Sequence, residues 1–415
     1  MAAFYEKRGG RPLWIDGYAL RPQAREVLRL VASADGDNLR PEDYGATALA
    51  EVISAARSAD RSSLAQAELA LSRAYARYLV DLKRPMPGTE MIFTDPGLAP
   101  RLPTISSALT ELSLARSPEA HLAAATRMNP IYQAYRTALA EHRAGRGDAS
   151  QADERLIRAN LERARALPPD LGERFVLVDA AAARLWLYED GQVADSMPVA
   201  VGKASQPTPV MAGRIRYAVF NPYWNMPQDL VRENVANRVL SEGPGHLAAS
   251  DLELLNDWSP AARRLDPLEV DWAAVAAGRQ PLRVRQRPGP ANMMGSVKLM
   301  LPNQLGIYLH DTPYRGVFAA ARRAVSAGCV RLEDAPRLVA RLLDGAERPR
   351  SDAPEQRVDL PRPVPVYITY FTLGLERGRL APRPDPYRRD PALLARLDLR
   401  TGLASRPAEM ARLAR

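Results

Sequence analysis

RFVLVDAAAARLWLYEDGQVADSMPVAVG, residues 174–202, marks the change of period that decides the fold. Short runs rich in Val, Leu, Phe, Trp and Tyr alternate with turn residues such as Asp190-Gly191, a pattern of strands and tight connections. RIRYAVF (214–220) and SVKLMLP (296–302) continue the series, and VPVYITYFTL (364–373) reads as a final strand. Upstream the period is helical. In ALRPQAREVLRLVASA (19–34) and SSLAQAELALSRAYARYLVDL (62–82) apolar residues recur every three or four positions, which puts one greasy face on each helix.

Working outward, RPMPG (84–88) and DPGLAPRLP (95–103) break the helices, and HRAGRGDASQ (142–151) reads as a linker. One more helix, ADERLIRANLERARALP, ends at Pro168-Pro169. The expected class is α+β: a helical domain at 1–145, a mainly antiparallel β domain at 146–375, and an Arg- and Pro-rich tail at 376–415 that packs loosely. Between NPYWNMP (221–227) and SVKLMLP lies a long excursion, the kind of insert that covers a site.

The chain has 415 residues, 46% of them hydrophobic and 25% charged, enough to bury a sizeable core. Its net charge of +9 favours polyanionic partners in general. The basic residues are scattered, with only four lysines among 57 and no dense stripe interleaved with aromatics, so nucleic acid is not expected. No run reaches the roughly 18 apolar residues of a membrane span. MAAFYEKRGGRPLWIDG (1–17) lacks the apolar core of a secretory signal, so the protein is either cytosolic or written here without its signal. With one cysteine an internal disulfide is impossible, and one cysteine with four histidines argues against a metal site. No cofactor is expected.

Chemistry concentrates in GIYLHDTPYRGVFAAARRAVSAGCVRLEDA, residues 306–335. Gly306 to His310 reads as a strand, followed by a polar turn, a short helix and the Ser326–Arg331 motif, with a further helix starting near Leu332. A thiol attacks a carbonyl as a thiolate, and a free cysteine with pKa about 8.5 is mostly protonated at neutral pH. An imidazole can take that proton and return it to a leaving amine. Gly328 lets the backbone come close, and Arg331 can hold the loop, raise the local potential or fork onto a carboxylate. Against this stands the plainer reading, in which Cys329 is a buried small hydrophobe and His310 a structural strand-end residue.

HDTP followed by SAGCVR resembles the signature of the L,D-transpeptidases with a YkuD-type catalytic domain. VGKASQPTPVMAGRIRYAVFNPYWNMP (201–227) is similar to a stretch of their large Gram-negative YcbB-type members, as are LIRANLERARALP and FYEKRGGRPLWI (4–15). The resemblance implies a helical scaffold domain, a β-sandwich-like catalytic domain and a capping insert at about 236–291. It also implies Cys329 as nucleophile and His310 as base and acid, with the amides of Gly328 and Cys329 as oxyanion hole. Tyr308 would line that hole, with Arg331 and Ser326 in support and the Asp311 carbonyl orienting the imidazole. Thr312 and Asn221 would contact substrate, and Trp224 would either pack against the substrate cleft or under the cap, or serve as a plain core tryptophan.

The substrate so implied is the peptidoglycan tetrapeptide stem. The enzyme would cut between the L centre of diaminopimelate and D-alanine, then pass the acyl group to a second diaminopimelate amine to form a 3→3 cross-link. Carbapenems acylate the cysteine in this family. The expected protein is a periplasmic monomer, without the wall-binding module that large members often carry between their domains. Two alternatives use the same acyl-enzyme, namely hydrolysis by water and transfer to a lipoprotein amine. A non-catalytic wall-binding scaffold is the third.

Overall fold

The computed structural model describes residues 1–415 except 57–59, 147–152, 260, 348, 350, 377–378 and 402–415. Half of the expected linker at 142–151 and the end of the expected tail lie outside the described residues. The chain divides into two compact units, Met1–Gly172 with Thr369–Arg415, and Glu173–Ile368.

The first unit is helical, as the 3.6-residue period predicts. Its helices start where polar side chains can take up free backbone N–H groups. Asp60 accepts from the Ser63 amide at 2.9 Å to open the helix Arg61–Lys83. Thr104 and Ser107 form a reciprocal capping box at Ile105–Leu114, and Asn129 caps Pro130–Arg143 through the Tyr132 amide. Val27, Leu71, Leu109, Tyr132 and Leu139 are fully buried between these helices.

Helix Glu154–Arg165 is unusual in burying charge. Glu162 and Arg165 are both sealed from solvent, paired at 2.9 Å, and Arg165 also donates to the Leu82 carbonyl at 2.6 Å. Arg158 donates to the Asn38 side chain at 2.9 Å. Buried ions persist only when paired and hydrogen-bonded in this way.

Two expectations change at the C-terminus. The segment after 373 is not a loose tail: Leu373–Glu376 and Arg379–Pro382 pair as a hairpin, so VPVYITYFTL is not the last strand. Helix Asp390–Thr401 then buries Leu393 and Leu397 against Met86 and Ala159. Its Asp390 pairs with Arg163 at 2.6 Å. The apolar i, i+4 pair of this helix was hidden by the arginines and prolines around it.

The second unit is a β-domain. Along hydrogen-bonded neighbours its strands run 297–300, 309–310, 330–332, 192–202, 184–189, 174–179, 356–369 and 211–220. Strand Val297–Met300 also pairs with Met211–Phe220, so the sheet closes on itself. Closure removes free edges and encloses Val176, Leu187, Val199, Ile215, Leu299 and Val366.

The insert forms a subdomain of its own. Strands Trp224–Asn225, Arg283–Gln286 and Leu252–Leu255 make a small antiparallel sheet. Short helices cover it around Val231, Val235, Leu254, Trp272 and Val284. It begins at about residue 224, earlier than the expected 236.

Candidate active site

Most pairings in the closed sheet are antiparallel, but Leu309–His310 and Val330–Leu332 run parallel. Parallel neighbours cannot be joined by a hairpin; they need a crossover of a dozen or more residues. Residues 311–329 are that crossover. It holds a short 3₁₀ turn at Arg315–Ala319 and strand Ala324–Ser326, which pairs beside Val201 and Gly202. The long interval between histidine and cysteine is thus the length of a parallel connection.

Register places the side chains. Leu309 stands opposite Val330 and His310 opposite Arg331. Paired residues share a face and alternate ones return to it, so Tyr308, His310, Cys329 and Arg331 all project from the same side. Leu309 and Val330 point the other way and are fully buried. Cys329 falls across from Tyr308 and diagonally from His310, and the Tyr308 and His310 rings lie 5.8 Å apart, edge to face.

The imidazole is buried and held by one bond. His310 Nδ1 lies 2.5 Å from the Asp311 carbonyl oxygen. A carbonyl only accepts, so Nδ1 carries the proton and Nε2 keeps the lone pair. Burial and then the Arg331 charge push the His310 pKa down to about 4, against the weaker upward pull of Asp311. The ring is therefore neutral at physiological pH.

The Asp311 carboxylate is committed elsewhere. Oδ2 accepts from the Ser296 amide and hydroxyl, both at 2.8 Å, and Oδ1 pairs with Arg315 at 2.7 Å. Gly295 packs directly on it with φ +62°, so that an added Cβ would stand 2.5 Å from Asp311 Oδ2. Gly295, Ser296 and Arg315 were not picked out from the sequence. Nothing in MMGSV marks a glycine that must lie against a carboxylate 16 residues away.

Cys329 is partly exposed. Its thiol donates to the Gly306 carbonyl at 3.5 Å. Burial raises its pKa, and hydrogen bonds from the Tyr308 amide and side chain, with the Arg331 charge, lower it by less. At rest a neutral thiol and a neutral imidazole thus stand on one face of the strand pair. Arg331 makes no ion pair among the described residues, and its buried Nε has no partner.

The loop around the sulfur is tightly held. Ser326 Oγ donates to the Cys329 carbonyl at 2.6 Å and accepts from the Gly328 amide at 3.2 Å. Gly328 has φ +114°, a conformation that favours glycine. The Thr208 hydroxyl donates to the Gly328 carbonyl at 2.8 Å and accepts from the Gly202 amide at 2.8 Å. Gly202 admits that approach because a Cβ there would stand 2.6 Å from the Thr208 nitrogen.

Two expectations need correction, on Gly328 and on the helix after Cys329. The Gly328 amide is spent on Ser326, so an oxyanion hole would draw on the Cys329 amide and Tyr308 instead. Trp224 packs against the core of the insert, beside Val284 and its neighbours, which is the packing under the cap that was one of its expected places. The further helix does not start near Leu332: Val330–Leu332 is strand, and Asp334 caps helix Ala335–Leu343 by accepting from the Arg337 amide at 3.0 Å.

Thr312 and Asn221 line a cavity of about 540 Å³ that also includes Asp311, Arg315, Gly295 and Asp352. Cys329 and His310 are not among its walls, which are reached through the two residues after the histidine. No helix among the described residues is long and apolar enough to cross a membrane.

Residues 173–368 match the L,D-transpeptidase catalytic domain (YkuD), and residues 1–139 match the Scaffold domain. A Haemophilus influenzae protein provisionally named an L,D-transpeptidase is 31% identical over 235 residues, 55% of this chain and 46% of that protein. The chain therefore spans about half the length of that curated relative. Among solved structures, an L,D-transpeptidase from Mycobacterium smegmatis is similar at 18% identity over 48% of this chain and 58% of its own, with a TM-score of 0.24. L,D-transpeptidase 3 from Mycobacterium tuberculosis is similar at 15% identity over 48% and 61%, with a TM-score of 0.24. The two family matches together cover most of the chain: it carries a Scaffold domain at residues 1–139 and an L,D-transpeptidase catalytic domain of the YkuD type at residues 173–368.

Proposed function

We propose that this protein is a periplasmic peptidoglycan L,D-transpeptidase that works through a thioester on Cys329. One observation carries the reading: a partly exposed sulfur shares a sheet face with a neutral imidazole whose Nδ1–H is pinned and whose Nε2 lone pair is left over.

Catalysis then starts from the uncharged pair. Rotation about χ1 turns the thiol from Gly306 toward His310, and Nε2 takes the proton as sulfur attacks the diaminopimelate carbonyl. The Cys329 amide and the Tyr308 hydroxyl stabilise the oxyanion. The imidazolium protonates the leaving D-alanine amine, which leaves a thioester and a neutral ring. A second stem's amine attacks that thioester, gives its proton to Nε2, and departs as a 3→3 linked amide, while the thiol is restored. Arg331 steadies the developing thiolate charge, and no cofactor is required.

Mass spectrometry with a carbapenem tests the nucleophile. Wild type gains one covalent adduct and Cys329→Ala none; an adduct on the variant would sink the assignment.

A further inference from the structure

Where the insert leaves the sheet, two residues side by side take left-handed backbone without being glycine. Asn221 has φ +47° and Glu355 φ +55°, and the Glu355 amide donates to the Asn221 carbonyl at 3.0 Å. Asparagine tolerates that conformation, whereas glutamate stays in it only when its surroundings hold it there. What holds Glu355 is its own carboxylate. Oε1 accepts from the Tyr223 amide at 2.7 Å and from Lys298 Nζ at 3.2 Å. Tyr223 immediately precedes the insert, and Arg285 of the insert's return strand lies 3.9 Å over its ring.

Lys298 leads from there to the base. It stands opposite His310 in the antiparallel register of Val297–Met300 and Leu309–His310, so both side chains leave the sheet on one face. The Lys298 side chain is mostly buried and ion-paired with Glu355. The other charged or titratable groups around the imidazole are Arg331 and Cys329 from the parallel neighbour, Tyr308, and Asp311, whose carboxylate is shared by Ser296 and Arg315. On the next strand Val219 carries no charge, and Arg357 beyond it pairs with Asp359 at 2.7 Å. Burial and the Arg331 charge are the larger causes that disfavour an imidazolium, and Lys298 adds to them. A carboxylate on Lys298 offsets that contribution.

We propose that Glu355, fixed by the Tyr223 amide at the root of the insert, is a positioning residue for the base and acts on His310 through Lys298. The inference rests on the transpeptidase reading above. As sulfur attacks, the thiol proton passes to Nε2, and the imidazolium so formed faces a Lys298–Glu355 pair of no net charge. Without Glu355 it faces a bare ammonium.

The test compares the full chain with Glu355→Gln, Lys298→Met and the double variant, following carbapenem acylation against pH by mass spectrometry. Glu355→Gln keeps an acceptor for the Tyr223 amide and removes only the charge. Acylation at neutral pH should slow by about fivefold, the scale of one partly exposed charge pair. Lys298→Met should move the acid limb upward from about 4, and NMR titration of the His310 ring should show the same upward shift without any turnover. Adding Glu355→Gln to Lys298→Met should change neither rate nor limb, because the charge through which Glu355 acts is gone. Equal slowing by Glu355→Gln with and without Lys298 would overturn the proposal, since it marks a purely structural role. So would a limb and a ring that both stay near 4 in Lys298→Met, a result that stands even if Glu355→Gln does not fold. A wild type that acylates while all three variants match it defeats the positioning role alone, whereas a wild type that never acylates defeats the enzymatic reading itself.

Discussion

Gly295 and Asp311 are in contact so close that no side chain fits between them: a Cβ on the glycine would stand 2.5 Å from the carboxylate oxygen Oδ2. Asp311 is also the residue whose carbonyl pins the imidazole. A change at Gly295 therefore reaches His310 through one residue, without touching the sulfur.

Gly295→Ala should accordingly lose activity by about 100-fold, the scale of a roughly 1 Å misplacement of a reacting group. Its φ of +62° adds strain of about 1–2 kcal/mol for a residue with a Cβ. Steady-state assay and thermal melting check this; full activity in a folded variant would show that Asp311 does not position the ring.

The pH profile should carry the mark of the buried imidazole. His310 titrates at about 4, so its base form persists well below the usual 6.5, and the acid limb of carbapenem acylation should fall near 4. The stability consequence has the opposite reach. As pH drops from about 6.5 toward 4 the unfolded chain takes up a proton that the folded one refuses, so the catalytic domain loses stability through that window. Arg331→Gln removes one downward cause and should move the limb upward, while Asp311 and Lys298 stay in place. A limb near 6.5 in wild type would contradict the burial.

Thiol reactivity offers an independent check. With its pKa raised by burial, Cys329 should react slowly with iodoacetamide at neutral pH and speed up into the alkaline range, without a low-pH plateau. Tyr308→Phe removes a hydrogen bond that favours the thiolate, so alkylation should slow further. A plateau at acidic pH would mean a resting thiolate–imidazolium pair instead.

In the helical unit, Asp390→Ala should lower stability by about 3 kcal/mol, because it strands Arg163 in a mostly buried position. Chemical denaturation followed by helical circular dichroism measures this. A change within error would return the last helix to the status of a loose tail.

Much of this protein could be read one residue at a time. Strand runs such as FVLVD, the helical period of 62–82 and the HDTP and SAGCVR motifs are local patterns, and local patterns survive in a string of letters. The helix ending before Pro168 belongs to the same class. The amphipathic last helix was missed because its two buried leucines are outnumbered by charged and proline neighbours.

The sequence by itself determined the order of helices and strands and the presence of a histidine and a single cysteine 19 positions apart, because those follow from side-chain chemistry and chain spacing. Only the tertiary structure decided that the two stand on one face of a parallel strand pair, and that Ser326 takes the Gly328 amide. It also decided that Trp224 belongs to the insert and that Gly295 presses on Asp311. Each of these depends on which strands pair and in what register. That choice is made by burial of side chains far apart in the chain, and a one-residue slip would turn every one of them to the other face.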